Sequence, residues 1–116
     1  MTYLDCYDIV SSQEKIIKPW GYEIIWANNQ ACNYVSKILF LESGKKISKQ
    51  FHKVKDETIY ILFGSLTLLI EKENIQNKFI LNEGDSFHIP PGLIHRFVQK
   101  IVMSRFLKHQ QHNLMM

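Results

Sequence analysis

The sequence contains few of the residues that mark disulfide-rich, zinc-finger or membrane proteins. Cys6 and Cys32 are its only cysteines, and they do not form a Cys-x-x-Cys motif. Reduced thiols in a cytoplasmic protein are the simplest interpretation. No apolar run approaches the roughly 20 residues that a membrane helix needs. The opening residues, MTYLDCYDIVSSQEK, carry acids and lack the apolar stretch of a signal peptide. We therefore expect a cytoplasmic protein that has no membrane partner.

The sequence also lacks a strong excess of charge of either sign. Its formal net charge is +3, which is too mild to indicate a nucleic-acid partner. The lysines are nevertheless unevenly distributed, because five of them crowd one segment: Lys45, Lys46, Lys49, Lys53 and Lys55. This cluster could attract an anionic small molecule, but a solvated strand face is the interpretation that such charge runs favour.

Helical periodicity is the third absence, since no window carries a sustained apolar stripe with a helical repeat. Short runs rich in Ile, Leu, Val, Phe and Tyr follow one another instead, with turn residues about 8–12 positions apart. The predicted strands are Tyr22–Trp26, Tyr34–Leu41, Ile47–His52, Thr58–Phe63, Leu66–Glu71, Lys78–Leu81, Ser86–Ile89, His95–Gln99 and Ile101–Phe106. A chain of 116 residues is large enough for one core. The pattern predicts a single all-β domain, a sandwich or barrel.

Glycine is scarce, but its placement is regular. Three of the five glycines, Gly44, Gly64 and Gly84, are spaced twenty residues apart at the ends of predicted strands. Because glycine tolerates positive φ, these are predicted turn positions. A repeat of two strands for each interval suits a jelly roll.

Four side chains between the first of these glycines and His95 could hold a metal ion. Strand alternation places Gln50 and His52 on one face, with Lys46 further along it. Glu57 opens the next strand among apolar neighbours, where an unpaired carboxylate would be costly. The predicted ligands are therefore Gln50, His52, Glu57 and His95. Zinc is the expected ion, and manganese, cobalt, nickel or iron would also suit these ligands. The remaining histidines are predicted to be ordinary packed or surface residues: His88, His109 and His112.

The spacing of these residues resembles the two motifs of the cupin superfamily. The first stretch reads Gly44-x5-Gln50-x-His52-x4-Glu57-x6-Gly64, and the second reads Gly84-x5-Pro90-x-Gly92-x2-His95-x3-Gln99. Gln50 stands where cupins usually have His, and Gln99 stands where they usually have Asn. The resemblance implies a double-stranded β-helix, that is, a jelly-roll barrel. It covers residues 18–107, leaving an irregular N-terminal extension over 1–17, with room for one short strand, and a C-terminal tail over 108–116.

Gln-x-His also resembles the metal set of the mannose-6-phosphate isomerases in that superfamily. The stretch Lys18-Pro19-Trp20-Gly21-Tyr22-Glu23 is similar to a motif of the type II enzymes. This resemblance implies a metal-dependent aldose–ketose isomerase that acts on an anionic sugar phosphate. Lys46 and Arg96 are the predicted catalytic cations, although alternation from His95 turns Arg96 away. The sequence places no uncommitted Asp, Glu or His in the pocket as a general base.

Two other functions fit the same scaffold. A non-catalytic cupin that binds a sugar or small ligand would keep the fold and the metal. A cupin dioxygenase would use the metal for oxygen chemistry, usually with a set of ligands richer in histidine. Edge strands of single cupin domains commonly pair, so we also expect a homodimer to which residues 1–17 or the tail contribute.

Overall fold

The computed structural model describes residues 13–29, 33–98 and 104–112, the last of these ranges through its backbone alone. These residues form β-strands joined by turns, which confirms the all-β prediction. The strands are β1 (Glu14–Lys18), β2 (Gly21–Asn29), β3 (Tyr34–Leu41), β4 (Lys55–Phe63), β5 (Ser65–Lys72), β6 (Ile75–Asn82), β7 (Ser86–Ile89), β8 (Ile94–Val98) and β9 (Ser104–His112). Within the described ranges, no helix is long and apolar enough to cross a bilayer.

The strands form two antiparallel sheets that enclose one apolar core. The larger sheet has the order β1-β2-β3-β9-β4-β7, and the smaller has the order β6-β5-β8. The last strand in the chain, β9, therefore lies between β3 and β4. Both sheets contribute to the core: its buried members are Leu39, Leu41, Ile47, Ile59, Ile61, Leu66, Leu68, Ile70, Leu81, Ile89 and Phe97. This arrangement is the predicted jelly roll.

Strand β4 illustrates how alternation builds the core and places a charged residue inside it. Glu57, Ile59 and Ile61 are buried, whereas the intervening Thr58 and Tyr60 are exposed. Successive side chains of a strand point to opposite faces, so the carboxylate of Glu57 enters the barrel on the same face as the two isoleucines. The predicted apolar surroundings of Glu57 are confirmed for these two neighbours.

The predicted strand Ile47–His52 is wrong. The segment makes only isolated bridges to β8, at Lys46↔Val98 and Gln50↔His95. One further backbone bond joins the Ile47 N–H to the Phe97 carbonyl at 2.9 Å. Ile47 is buried, but Phe51 is 53% exposed. The odd-numbered positions of this segment do not form a continuous buried face. The segment runs antiparallel to β8 and pairs with it at separate points rather than along a continuous ladder.

The C-terminal tail also differs from the prediction. It was predicted to begin at residue 108, but β9 continues through His112 and pairs with β3 on one side and β4 on the other. Ladder bonds on both edges outweigh the polar composition of its last residues. In the N-terminal extension, Glu14–Lys18 is a strand, which agrees with the short strand that the prediction allowed there. Predictions that involve Cys6, Cys32, Gln99 and residues 101–103 lie outside the described residues.

The predicted glycine turns are confirmed by backbone geometry. Gly44, Gly64 and Gly84 have φ values of +79°, +77° and +91°. Gly21 has a different requirement, since its φ is +147° and a Cβ placed there would lie 1.9 Å from the Phe40 carbonyl oxygen. Glycine is therefore needed at this position for close approach of β2 to β3.

Candidate metal centre and adjoining cleft

The fold brings together His52, Glu57 and His95, three of the four predicted metal ligands. One ligand atom from each lies within 4.8 Å of the others. His52 Nε2 is 3.2 Å from Glu57 Oε1, and His95 Nε2 is 3.8 Å from Glu57 Oε2. Glu57 and His95 are each 1% exposed, whereas the His52 side chain is 24% exposed. The cluster thus has two buried members and one that reaches the solvent.

The local backbone orients the imidazole of His95 and positions the backbone of His52. His95 Nδ1 lies 2.9 Å from the Leu93 carbonyl oxygen, to which it donates a hydrogen bond. That bond places the ring proton on Nδ1 and leaves the Nε2 lone pair directed at Glu57, as a metal ligand requires. The Pro90-Pro91-Gly92 turn supports His52, because the Gly92 N–H donates to the His52 carbonyl at 2.7 Å.

Gln50, the fourth predicted ligand, lies directly opposite His95. The two residues exchange backbone hydrogen bonds of 2.8 and 3.0 Å. Side chains of such directly opposed residues project to the same side, so the Gln50 amide is directed to the side on which the His95 ring lies. Its Oε1 is buried and has no hydrogen-bond partner among the described residues. A buried carbonyl oxygen of this kind needs a partner, and a cation would supply one.

These donors fit a divalent metal ion. Ligand atoms bonded to one zinc-sized ion at about 2.1 Å lie roughly 3–4 Å apart, so the observed separations need only a small contraction. Two imidazole nitrogens, a carboxylate and an amide oxygen suit zinc, manganese, iron, cobalt and nickel alike. The residues therefore describe a candidate metal centre without determining which ion it prefers.

A polar cleft adjoins this centre at Gln50. It has a volume of about 610 Å³, counting the solvent in its mouth, and its lining residues are Lys18, Trp20, Glu23, Lys37, Leu39, Ile47, Ser48 and Gln50. Glu23 is 8% exposed. Its Oε1 is 3.9 Å from Lys18 Nζ, and its Oε2 is 3.7 Å from Lys37 Nζ. One buried carboxylate thus lies between two ammonium groups beside the candidate metal ligands.

The two predicted catalytic cations do not line this cleft. Lys46 is exposed at its bridge to Val98. Arg96 alternates with His95 on β8 and lines a separate hollow together with Lys49 and Glu71. Alternation from His95 predicted that Arg96 points away from the site, and this position agrees with that prediction. The structure does not test a catalytic role for either residue.

The solvated interpretation of the lysine-rich segment agrees with the structure for its exposed members, Lys45, Lys46, Lys49 and Lys53. Lys49 pairs with Glu71 at 3.4 Å. His88 is also a surface residue as predicted, and its Nε2 contacts Asp56 Oδ1. The side chains of His109 and His112 lie outside the described part of the chain.

Sequence reasoning assigned no role to Lys18, Glu23 or Lys37. A signal for the first two was present, because both belong to the stretch Lys18-Pro19-Trp20-Gly21-Tyr22-Glu23 that carried the isomerase resemblance. Lys37 had no comparable motif. It joins the other two only because β3 pairs with β2, in a register that places Lys37 opposite Ile25 and Leu39 opposite Glu23.

Comparison with known proteins gives matches at the level of family and fold. The cupin domain family matches residues 38–100. No curated protein matches the sequence. A structure of Bacillus subtilis oxalate decarboxylase, from work on its Mn(II) centres, has a TM-score of 0.78 and 22% identity over 91% of this chain and 29% of its own. A deletion variant of that enzyme has a TM-score of 0.79, 22% identity and the same coverage.

A third oxalate decarboxylase structure, from work on its substrate binding mode, has a TM-score of 0.78 and 23% identity over 88% of this chain and 28% of its own. The present chain therefore spans less than a third of the length of these proteins. At this level of identity, the likeness establishes the fold alone. It adds no evidence for a resemblance to mannose-6-phosphate isomerases in particular.

Proposed function

We propose that this chain, which belongs to the cupin family, is a metal-dependent aldose–ketose isomerase that acts on a small sugar phosphate. The observation that carries the proposal is the convergence of His52, Glu57 and His95 within 4.8 Å, beside a Gln50 oxygen that has no hydrogen-bond partner in the described part of the chain. An isomerase of this type needs a site that binds neighbouring substrate oxygens and excludes bulk water. The buried carboxylate and imidazole provide the ligands for such a site.

A divalent ion held by these residues would supply Lewis-acid stabilisation of the negative charge that develops on the substrate oxygens. The chain's own residues would do the rest. The Leu93 carbonyl keeps the His95 ring in one orientation, and the core around Ile59 and Phe97 keeps the inner side of the site dry. The His52 side chain is 24% exposed, so a substrate would reach the site from the solvent past this residue.

The charge of the adjoining cleft supports an anionic substrate. Lys18 and Lys37 contribute two positive charges against the single negative charge of Glu23. Attraction between an anion and this net charge is strengthened by the apolar surface of Trp20 and Leu39, because low local polarity weakens screening. A phosphate group is the anion that an aldose–ketose isomerase of this kind would bind.

The test is an isomerase assay with mannose 6-phosphate and fructose 6-phosphate, after the protein has been loaded with zinc, manganese or cobalt. We expect interconversion that requires the metal and is abolished in His52→Ala. The matched control is His88→Ala, which removes a surface imidazole outside the candidate centre and should keep full activity. Stoichiometric metal without turnover of either sugar phosphate would contradict the isomerase proposal.

A non-catalytic cupin that binds a small anion is the second candidate. The observation that favours it is the position of Glu23, the carboxylate of the cleft, which already lies between two ammonium groups. Each of its oxygens faces an ammonium group, so the residues that line the cleft include no uncommitted carboxylate that could act as a general base. Metal-dependent binding of a sugar phosphate without turnover would support this candidate. Consumption of oxygen or of a small carboxylic acid would instead support the redox and decarboxylase chemistry known elsewhere on this fold.

A further inference from the structure

The charged side chains of the cleft come from three neighbouring strands of the large sheet. Lys18 ends β1, Glu23 lies in β2 and Lys37 lies in β3. The strands pair in that order, with Lys18 opposite Gly21 and Glu23 opposite Leu39. Hydrogen bonding along the sheet fixes the spacing of their backbones, so the fold determines where the three charged side chains begin relative to one another.

Burial distinguishes this arrangement from an ordinary surface ion pair. Glu23 is 8% exposed, and the side chains of Lys18 and Lys37 are 38% and 22% exposed. Trp20, Leu39 and Ile47 provide the apolar surface around them. A carboxylate withdrawn from water to this extent needs cationic partners, which the two lysines supply.

The ion pairs leave both ammonium groups able to bind another anion. Their separations from Glu23, 3.9 and 3.7 Å, are longer than the roughly 2.7–2.9 Å of a close charge-assisted hydrogen bond. Each ammonium group has three donors, and one carboxylate neutralises only one of the two charges. A group that carries two negative charges would balance both lysines better than Glu23 does.

Two further lining residues connect this arrangement to the candidate metal centre. Ser48 and Gln50 line the same cleft, and the Gln50 backbone is paired with that of His95. A ligand held at the two lysines would therefore extend along the cleft toward the metal ligands. Among phosphate monoesters, a sugar phosphate has this form, with a dianionic group at one end and uncharged oxygens at the other.

We propose that Lys18 and Lys37 form a subsite for the phosphate group of a phosphate monoester, and that Glu23 is the internal counter-ion which the phosphate displaces. The carboxylate holds the two lysines in the cleft before the ligand binds. It also weakens the binding of singly charged anions, because such an anion brings the lysines no more negative charge than Glu23 already supplies. The subsite deepens the proposed function and rests on it for the identity of the ligand.

Calorimetric titration of the metal-free protein with inorganic phosphate tests the subsite separately from metal binding and turnover. We expect phosphate to bind with an affinity that falls by about tenfold in Lys18→Gln and in Lys37→Gln, since each loses a charge-assisted hydrogen bond. Lys78→Gln is the matched control, because Lys78 is an exposed lysine of β6 and should leave the affinity unchanged. Circular dichroism verifies that each variant is folded.

Glu23→Gln distinguishes a counter-ion from a ligand-binding residue. Removal of the competing charge should strengthen phosphate binding by at least about threefold. It should also lower the ratio of the affinity for phosphate to the affinity for acetate. Equal affinity in the Lys37→Gln, Lys18→Gln and Lys78→Gln variants would overturn the subsite, as would failure of the parent protein to bind phosphate. Weaker binding in a folded Glu23→Gln variant would overturn the counter-ion role. Each result stands whether or not the metal-loaded protein is an isomerase.

Discussion

At the scale of single residues, the protein holds the His95 imidazole in place before any ion binds. Its Nδ1 is bonded to Leu93, its ring is 5.6 Å from that of Phe97, and the residue is 1% exposed. An oriented ligand loses little conformational freedom when a metal binds, so less of the binding energy is consumed by ordering. The His52 side chain is 24% exposed, so we expect it to provide the remaining adjustment.

Replacement of Gln50 by alanine should weaken metal binding while the fold is retained. Loss of an outer-shell partner commonly lowers metal affinity by about 10–100-fold, so loss of a direct ligand should cost at least about tenfold. Competition with a chromophoric chelator measures the affinity. Gln76→Ala is the control, because Gln76 is an exposed residue of β6. Equal affinities in the two variants would remove Gln50 from the ligand set.

Two of the candidate ligands could be predicted from the sequence because they follow local rules. Glu57 lies within one strand whose alternation is regular, and His95 follows a Pro-Pro-Gly turn in which the Leu93 N–H bonds to the Pro90 carbonyl. The cleft could not be predicted in the same way. Alternation within β2 and β3 indicates which side chains lie on the same side of the sheet. It does not indicate that Glu23 and Lys37 form an ion pair across two strands, or that they line one cleft together with Gln50 of another segment.

At the scale of elements, the segment from Ile47 to His52 shows where sequence patterns are insufficient. Its period-2 pattern predicted a strand, yet Lys49 and Phe51, which share the parity of Ile47, are exposed and do not repeat its burial. The opposite error occurred in β9, whose final polar residues were predicted to be a tail. There, pairing with two strands determines the structure, and that pairing depends on the whole topology.

The junction between β1 and β2 provides an element-scale prediction. Gly21→Ala should destabilise the protein more than Gly84→Ala in chemical denaturation. Both glycines have positive φ, and holding an alanine in such a sparsely populated backbone conformation costs of order 1–3 kcal/mol. Only at Gly21 does the added Cβ meet a backbone atom, the Phe40 carbonyl oxygen; nothing lies within 4 Å of it at Gly84. Equal losses of unfolding free energy would show that β2 can move away from β3 without cost.

At the scale of the whole molecule, the strand order creates the candidate site. Because β9 returns between β3 and β4, one sheet carries both the lysines of β1 and β3 and the Glu57 of β4. The β8 strand of the other sheet supplies His95 from the opposite side. The barrel as a whole, rather than any local motif, therefore places an anion-attracting cleft beside the candidate metal ligands.

Homodimerisation remains a prediction, and the edge of the large sheet supports it. Among the described strands, β1 is one end of that sheet, and its Ile17 is 73% exposed. An edge strand with an exposed apolar side chain favours pairing with a second copy. Light scattering at micromolar concentration should give twice the chain mass of 13.7 kDa, and Ile17→Lys should shift the protein toward the monomer. A monomer mass for the parent chain would contradict the prediction.

The metal content of the protein tests whether His52, Glu57 and His95 bind an ion. Elemental analysis of protein loaded with zinc or manganese and then dialysed should give close to one ion per chain for the parent and for His88→Ala. It should give almost none for His52→Ala and His95→Ala. His52 is half-buried, so its variant keeps the test valid even if loss of the buried His95 impairs folding. Undiminished metal in a folded His52→Ala variant would contradict the account.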